Sequence, residues 1–91
     1  MQVNFTKVVH FTRLIKAGGR LREFNFRKLG GMQEGLFTVD VVDERGNRIM
    51  FRMQKDSNNQ RTILQQILPS WIPESESKLN EAIEDELQRS E

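Results

Sequence analysis

Apolar and polar positions alternate most regularly between Glu34 and Lys55, EGLFTVDVVDERGNRIMFRMQK. Phe37, Val39 and Val41 interleave with Thr38, Asp40 and Val42; Ile49, Phe51 and Met53 interleave with Met50, Arg52 and Gln54. A period of two, carried by β-branched and aromatic residues, predicts two half-buried strands. The turn decides how they pair. A loop of Arg45-Gly46 alone would set Val39 against Arg52 and break the apolar row. A loop of Glu44-Arg45-Gly46 sets Asp43 against Asn47, Val41 against Ile49, Val39 against Phe51 and Phe37 against Met53. The whole row then shares one face, which a one-residue slip would turn to solvent. That loop suits a type I turn closed by Gly46 in the left-handed conformation.

The flanking chain is less regular. Residues 1–29 carry two readings. Val8, Val9, Phe11 and Ile15 supply strand formers, Ala17-Gly18-Gly19-Arg20 a hairpin turn, and Phe24 and Phe26 alternate with Glu23, Asn25 and Arg27 within Leu21–Leu29. Phe11, Leu14 and Ile15 also fit a helical face that Gly18 would end. No short loop lines up an unbroken apolar row here. Charged and apolar residues mix on both faces as in an edge pair, so strand–turn–strand is favoured over a helix. Paired glycines make 29–33 a loop. A polar turn at 56–60 leads to a short strand that opens at Thr62-Ile63-Leu64 and ends near Ile67. Pro69 and Pro73 bracket an irregular link in which Trp71 plugs one end of the core.

From Glu74 the period becomes helical. Leu79, Ala82, Ile83 and Leu87 form one narrow stripe, Glu74 and Glu76 suit the positive end of the helix dipole, and Ser75 or Ser77 can act as cap. So narrow a stripe makes the helix marginal alone, and it should dock on the sheet. The expected fold is α+β: an antiparallel meander of four to five strands with one C-terminal amphipathic helix packed on one face. Residues 1–91 form a single domain, with sheet and connections over 1–73 and the helix over 74–89.

Composition narrows the function classes. Apolar residues make up 36% of the chain and charged residues 30%, which implies a thin core and a well-solvated surface. Cysteine is absent, so neither a disulfide framework nor a thiolate metal site is available. No apolar run approaches the roughly 18 residues of a membrane helix, and the opening residues lack a signal-peptide block, so no membrane contact and a cytoplasmic location are expected. Residues 1–61 carry twelve Lys/Arg and six Asp/Glu, giving +6; residues 62–91 carry two and seven, giving −5. Either the two parts attract each other across the fold, or the basic part meets an anionic partner.

Candidate chemistry is sparse. His10 is the one histidine, too little for an ordinary zinc site. Asp43 and Glu44 sit at a turn, where Asp bonds backbone, and Asp40 can pair with neighbouring arginines. Asp56-Ser57-Asn58 opens like a calcium loop, but Arg61 stands where glycine is needed and Ile67 where the closing glutamate belongs. Gly18-Gly19 and Gly30-Gly31 lack the spacing of a phosphate loop. No nucleophile–base pair can be assembled. The chain is expected not to be an enzyme and to need no metal or cofactor.

What remains is the outward sheet face. If Phe37, Val39 and Val41 face the helix, then Leu36, Val42, Arg48, Met50 and Arg52 face outward, with further charge from Arg20, Arg22, Arg27 and Lys28. Such a half-apolar, arginine-bearing surface suits an interface, either with a protein or a second copy of this chain, or with single-stranded DNA or RNA. Four strands followed by an amphipathic helix, over roughly residues 20–89, resemble the repeat layout of the PUR and whirly-type single-stranded-nucleic-acid-binding proteins. That resemblance rests on element order, and it implies a curved antiparallel sheet backed by a helix, pairing of copies, and nucleic-acid binding. The chain also resembles short bacterial proteins from which no activity carries over. Self-association or protein binding through the outer face is the leading expectation, nucleic-acid binding the alternative.

Overall fold

A computed structural model describes residues 9–28, 35–64 and 67–89. Five antiparallel strands follow one another in chain order: β1 (Val9–Ala17), β2 (Arg20–Lys28), β3 (Phe37–Val42), β4 (Arg48–Lys55) and β5 (Arg61–Ile63). A 3-10 turn at Pro73–Ser75 runs into the helix α1 (Glu76–Arg89), which packs on the sheet. The fold is the expected α+β meander with one C-terminal helix.

The β3–β4 hairpin has the register that the apolar row demands, with Phe37 opposite Met53, Val39 opposite Phe51 and Val41 opposite Ile49. Gly46 adopts φ +84° and donates its N–H to the Asp43 carbonyl at 3.1 Å. The Asp43 carboxylate accepts the N–H groups of Arg45 and Asn47 at 2.9 and 2.8 Å, the backbone-binding role that Asp commonly takes at turns. The β4–β5 turn repeats this chemistry. Asp56 accepts the N–H groups of Asn58 and Gln60, and Asn59 (φ +66°) stands where Gly46 does. The segment that opens like a calcium loop is thus a hairpin turn.

The β1–β2 hairpin closes on Gly18-Gly19, both at positive φ as a two-residue primed turn requires. Phe11 pairs with Phe26, Arg13 with Phe24 and Ile15 with Arg22. Over Val9–Ala17 the helical alternative is therefore replaced by strand; Val8 and the loop at 29–33 lie outside the described residues. The missing apolar row has a simple cause: Arg13 and Arg22 occupy core-facing positions. β5 is shorter than expected. It stops at Ile63, although the Leu64 N–H still bonds the Arg52 carbonyl at 2.9 Å.

Phe24, Phe26, Phe37, Val39, Phe51 and Met53 are fully buried against Leu79 and Ile83 of α1, with Ala82 and the half-buried Leu87 completing the helix stripe. Trp71 meets Phe24 edge-on at 6.5 Å and closes one end of this core. The α1 terminus differs from expectation. Ser75 donates its hydroxyl to the Trp71 carbonyl at 2.7 Å instead of capping the helix, and Glu76 accepts the Ile63 N–H at 2.9 Å, joining α1 to β5. Among the described residues no helix is long and apolar enough to cross a membrane.

Candidate interaction face and the arginines beneath it

Strand alternation gives the sheet two unlike faces. The outer one carries a hydrogen-bonded chain across four strands. Thr12 donates to the Asn25 side-chain oxygen at 2.7 Å, the Asn25 amide donates to Asp40 at 3.0 Å, and Arg48 donates to the same Asp40 oxygen at 2.8 Å. Asp40 thus serves as the hub of an exposed polar network, with Arg48 as its ion-pair partner.

Beside this chain stand apolar side chains that the core does not use. Leu14, Leu21, Val42 and Met50 are 66%, 65%, 44% and 58% exposed. Leu14 lies opposite Glu23, Leu21 opposite Lys16, Met50 opposite Asp40 and Val42 opposite Arg48. Every one therefore has a polar or charged neighbour. On the other side of the chain, Arg27 is opposite both His10 and Thr38, and Thr38 is opposite Arg52, a polar row across four strands with guanidinium groups on β2 and β4.

The inner face holds three arginines among its apolar residues. Arg13 bonds Asp85 and Glu86 at 3.0 and 3.1 Å. Arg22 donates to the Ala17 carbonyl at 2.8 Å, pairs with Glu44 and stacks on Trp71 at 3.7 Å from the ring centre. Arg61 pairs with Glu84, bonds Asn80 at 3.1 Å and lies 5.5 Å from the Phe37 ring centre. Hydrogen bonding from Arg22 lowers the pKa of Glu44, and hydrogen bonding from Arg61 lowers that of Glu84. Asp43 is lowered chiefly by the Asn47 N–H. Part of the opposition between the basic sheet and the acidic tail is thus used inside the molecule, where Arg13 and Arg61 tie α1 to the two outer strands.

The nine residues singled out from the sequence divide accordingly. Arg27, Val42, Arg48, Met50 and Arg52 share the outer face. Arg22 does not: it is 6% exposed and directed into the core end, which follows from its spacing of two and four from Phe24 and Phe26. Arg20 is exposed at the hairpin end and lines a hollow of about 330 Å³ with Leu21, Val42 and Arg48. Lys28 borders a different hollow with Lys55 and Arg61, and Leu36 is half-buried before β3. Leu14, Leu21, Thr12 and Asn25 were not among the nine, yet share the outer face; alternation from Phe11 and Phe24 would have found them.

Among the described residues no group of three or more His, Asp or Glu side chains converges as a metal site. The large described aromatics lie inward or at the core end, with Phe11 stacked on Phe26 at 4.6 Å. The outer face therefore offers hydrogen bonds, charge and aliphatic area. In comparisons with known proteins no family model, no curated protein and no solved structure matches the chain.

Proposed function

We propose that this protein is a non-enzymatic interaction module that associates with itself, or with a protein partner, through the outer face of its sheet. The observation that carries the reading is the set of Leu14, Leu21, Val42 and Met50, each at least 44% exposed on that face beside the Thr12–Asn25–Asp40–Arg48 chain. Aliphatic area studded with fixed polar groups is what a specific interface needs: area for affinity, and hydrogen bonds that penalise a mismatched partner. The cytoplasm is the compartment we assign, on the ground of a cysteine-free chain. Light scattering over a concentration series tests the reading. Self-association that Met50→Glu weakens at least tenfold is the expected result; a species that stays monomeric at high concentration overturns self-association through this face.

A second reading rests on the His10–Arg27–Thr38–Arg52 row, which suits the phosphates of a single-stranded nucleic acid. With no described aromatic ring available for stacking outward, such binding would be salt-sensitive and nearly indifferent to sequence. Fluorescence anisotropy with labelled DNA and RNA oligonucleotides across a salt series tests it. Absence of binding at low salt refutes it.

A further inference from the structure

The strand order leaves β1 and β5 at the edges of the sheet. They are unlike edges. β5 has three residues, and the Ile63 N–H is taken by Glu76. β1 has nine. Because Gly18-Gly19 closes a two-residue loop, Ala17 and Arg20 form the first hydrogen-bonded pair, and the odd residues of β1 bond β2. The N–H and C=O groups of His10, Thr12, Leu14 and Lys16 then point away from the sheet. In agreement with this, the Lys16 carbonyl accepts the Lys78 ammonium at 3.1 Å. Among the described residues no other outward backbone group of β1 has a partner. Between this edge and α1 runs a groove of about 570 Å³, with Leu14 and Lys16 on one side and Lys78, Ala82 and Asp85 on the other.

We propose that this edge receives β1 of a second copy, antiparallel and two-fold about Leu14, so that two five-stranded sheets become one continuous sheet. An unsatisfied strand edge is a template for strand addition, and charge complementarity favours this chain as its own partner. Lys78 lies level with Lys16 and Asp85 level with Arg13, so α1 runs antiparallel to β1 with Glu81 and Ala82 midway. A two-fold axis near Leu14 turns Lys78 of each copy toward Asp85 of the other. On the strand the same axis sets Leu14 against Leu14, Thr12 against Lys16, Arg13 against Ile15 and Phe11 against Ala17. About six backbone hydrogen bonds form across the junction. Moving the axis to Arg13 would place two Arg13 side chains opposite each other, which disfavours that register. Lys78 releases the Lys16 carbonyl on pairing, and the Thr12 N–H of the second copy replaces it.

This inference shares self-association with the outer-face reading but assigns it to a strand edge, and amide exchange separates the two. In solution the Thr12, Leu14 and Lys16 amides should exchange at least tenfold more slowly at high than at low protein concentration, while the odd-numbered β1 amides stay slow at both. Leu14→Pro removes an N–H that the monomer does not use, so it should abolish the dimer and keep the fold. Should that variant not fold, Leu14→Cys in this cysteine-free chain serves instead. Facing Cα atoms about 5.5 Å apart lie within disulfide range, so rapid oxidation to a covalent dimer is expected. Fast exchange at the even amides at every concentration overturns the proposal. So does a dimer that Met50→Glu dissociates and Leu14→Pro does not, which would leave the outer face as the interface. Dissociation by Leu14→Pro but by neither Met50→Glu nor Leu14→Ala, which trims the same outer-face side chain and keeps the N–H, upholds the edge and removes self-association through the outer face. Protection of the even amides only on adding an unrelated extended peptide also overturns the second copy as occupant.

Discussion

Arg61 offers the sharpest test of how this core is held together. Its side chain is 2% exposed, its Nε lacks a partner, and its charge is met by Glu84, whose own side chain is 45% exposed. Replacing Glu84 by alanine leaves a guanidinium in the core with one neutral acceptor, Asn80. Orphaning a buried charge generally costs about 3–5 kcal/mol. Water can enter where the Glu84 side chain stood, so the cost here is reduced to about 2 kcal/mol, equivalent to roughly 8–15 °C in Tm for a domain of this size. Arg61→Met removes the charge, the orphaned Nε and the need for Glu84 together, and fills similar space against Phe37. Its expected change is within about 1 kcal/mol of zero in either direction. With Arg61→Met already in place, Glu84→Ala should cost less than about 0.5 kcal/mol, since its partner is gone. Urea unfolding followed by far-UV circular dichroism supplies all four corners of this cycle. Should Arg61→Met prove as damaging as Glu84→Ala, the guanidinium would be stabilising through its ring contact and stem packing, and the charge argument would be wrong.

Three further predictions concern the turns and the acid limb of stability. Gly18→Ala puts a Cβ 2.9 Å from Trp71 Cβ at φ +63°, so it should cost about 2 kcal/mol or more and shift Trp71 fluorescence, whereas Gly19→Ala, with nothing within 4 Å, should cost only the roughly 1 kcal/mol of left-handed backbone. Glu84 and Glu44 have lowered pKa values, so their contribution is complete above the ordinary glutamate value of 4.5 and is lost as pH falls through their lower folded values. Acid titration of stability should therefore show a loss below that value, and Arg61→Met should make the loss shallower; an unchanged acid limb would contradict the pairing. Asn59→Val, which forces a β-branched residue to φ +66°, should destabilise the β4–β5 turn by about 1–2 kcal/mol in thermal unfolding, while Asn59→Gly should be near neutral.

The parts of the fold that were readable are those where one physical demand dominated. In the β3–β4 hairpin, the turn residues allowed two loops, and the apolar row selected the one in which the Asp43…Gly46 turn closes. The stripe through Leu79, Ala82 and Ile83 was readable for the same reason: each of these residues is buried. β1 and β2 were harder, because two criteria pointed in opposite directions. Residue type assigns Arg13 and Arg22 to solvent, while alternation from Phe11 and Phe24 assigns them to the inner face. Alternation prevails, since a long guanidinium stem can pack apolar surface while its head reaches an acid on α1 or the β3–β4 turn.

That outcome changes how the charge asymmetry should be understood. An arginine counted by composition looks available to a partner, but one counted by strand parity can already be committed. Arg13 and Arg61 draw on the acidic residues of α1, and Arg22 draws on Glu44, so these three cations contribute to holding the fold more than to an external field. Arg27, Arg48 and Arg52 have the other parity and remain on the outer face, where Arg48 is anchored to Asp40. A surface function carried by charge must therefore rest on a smaller set than the +6 of residues 1–61 suggests. The apolar outer residues have no corresponding internal use. Leu14 and Leu21, on the edge hairpin, cover no core, and together with Val42 and Met50 they form apolar area on the outer face that folding by itself leaves without a purpose.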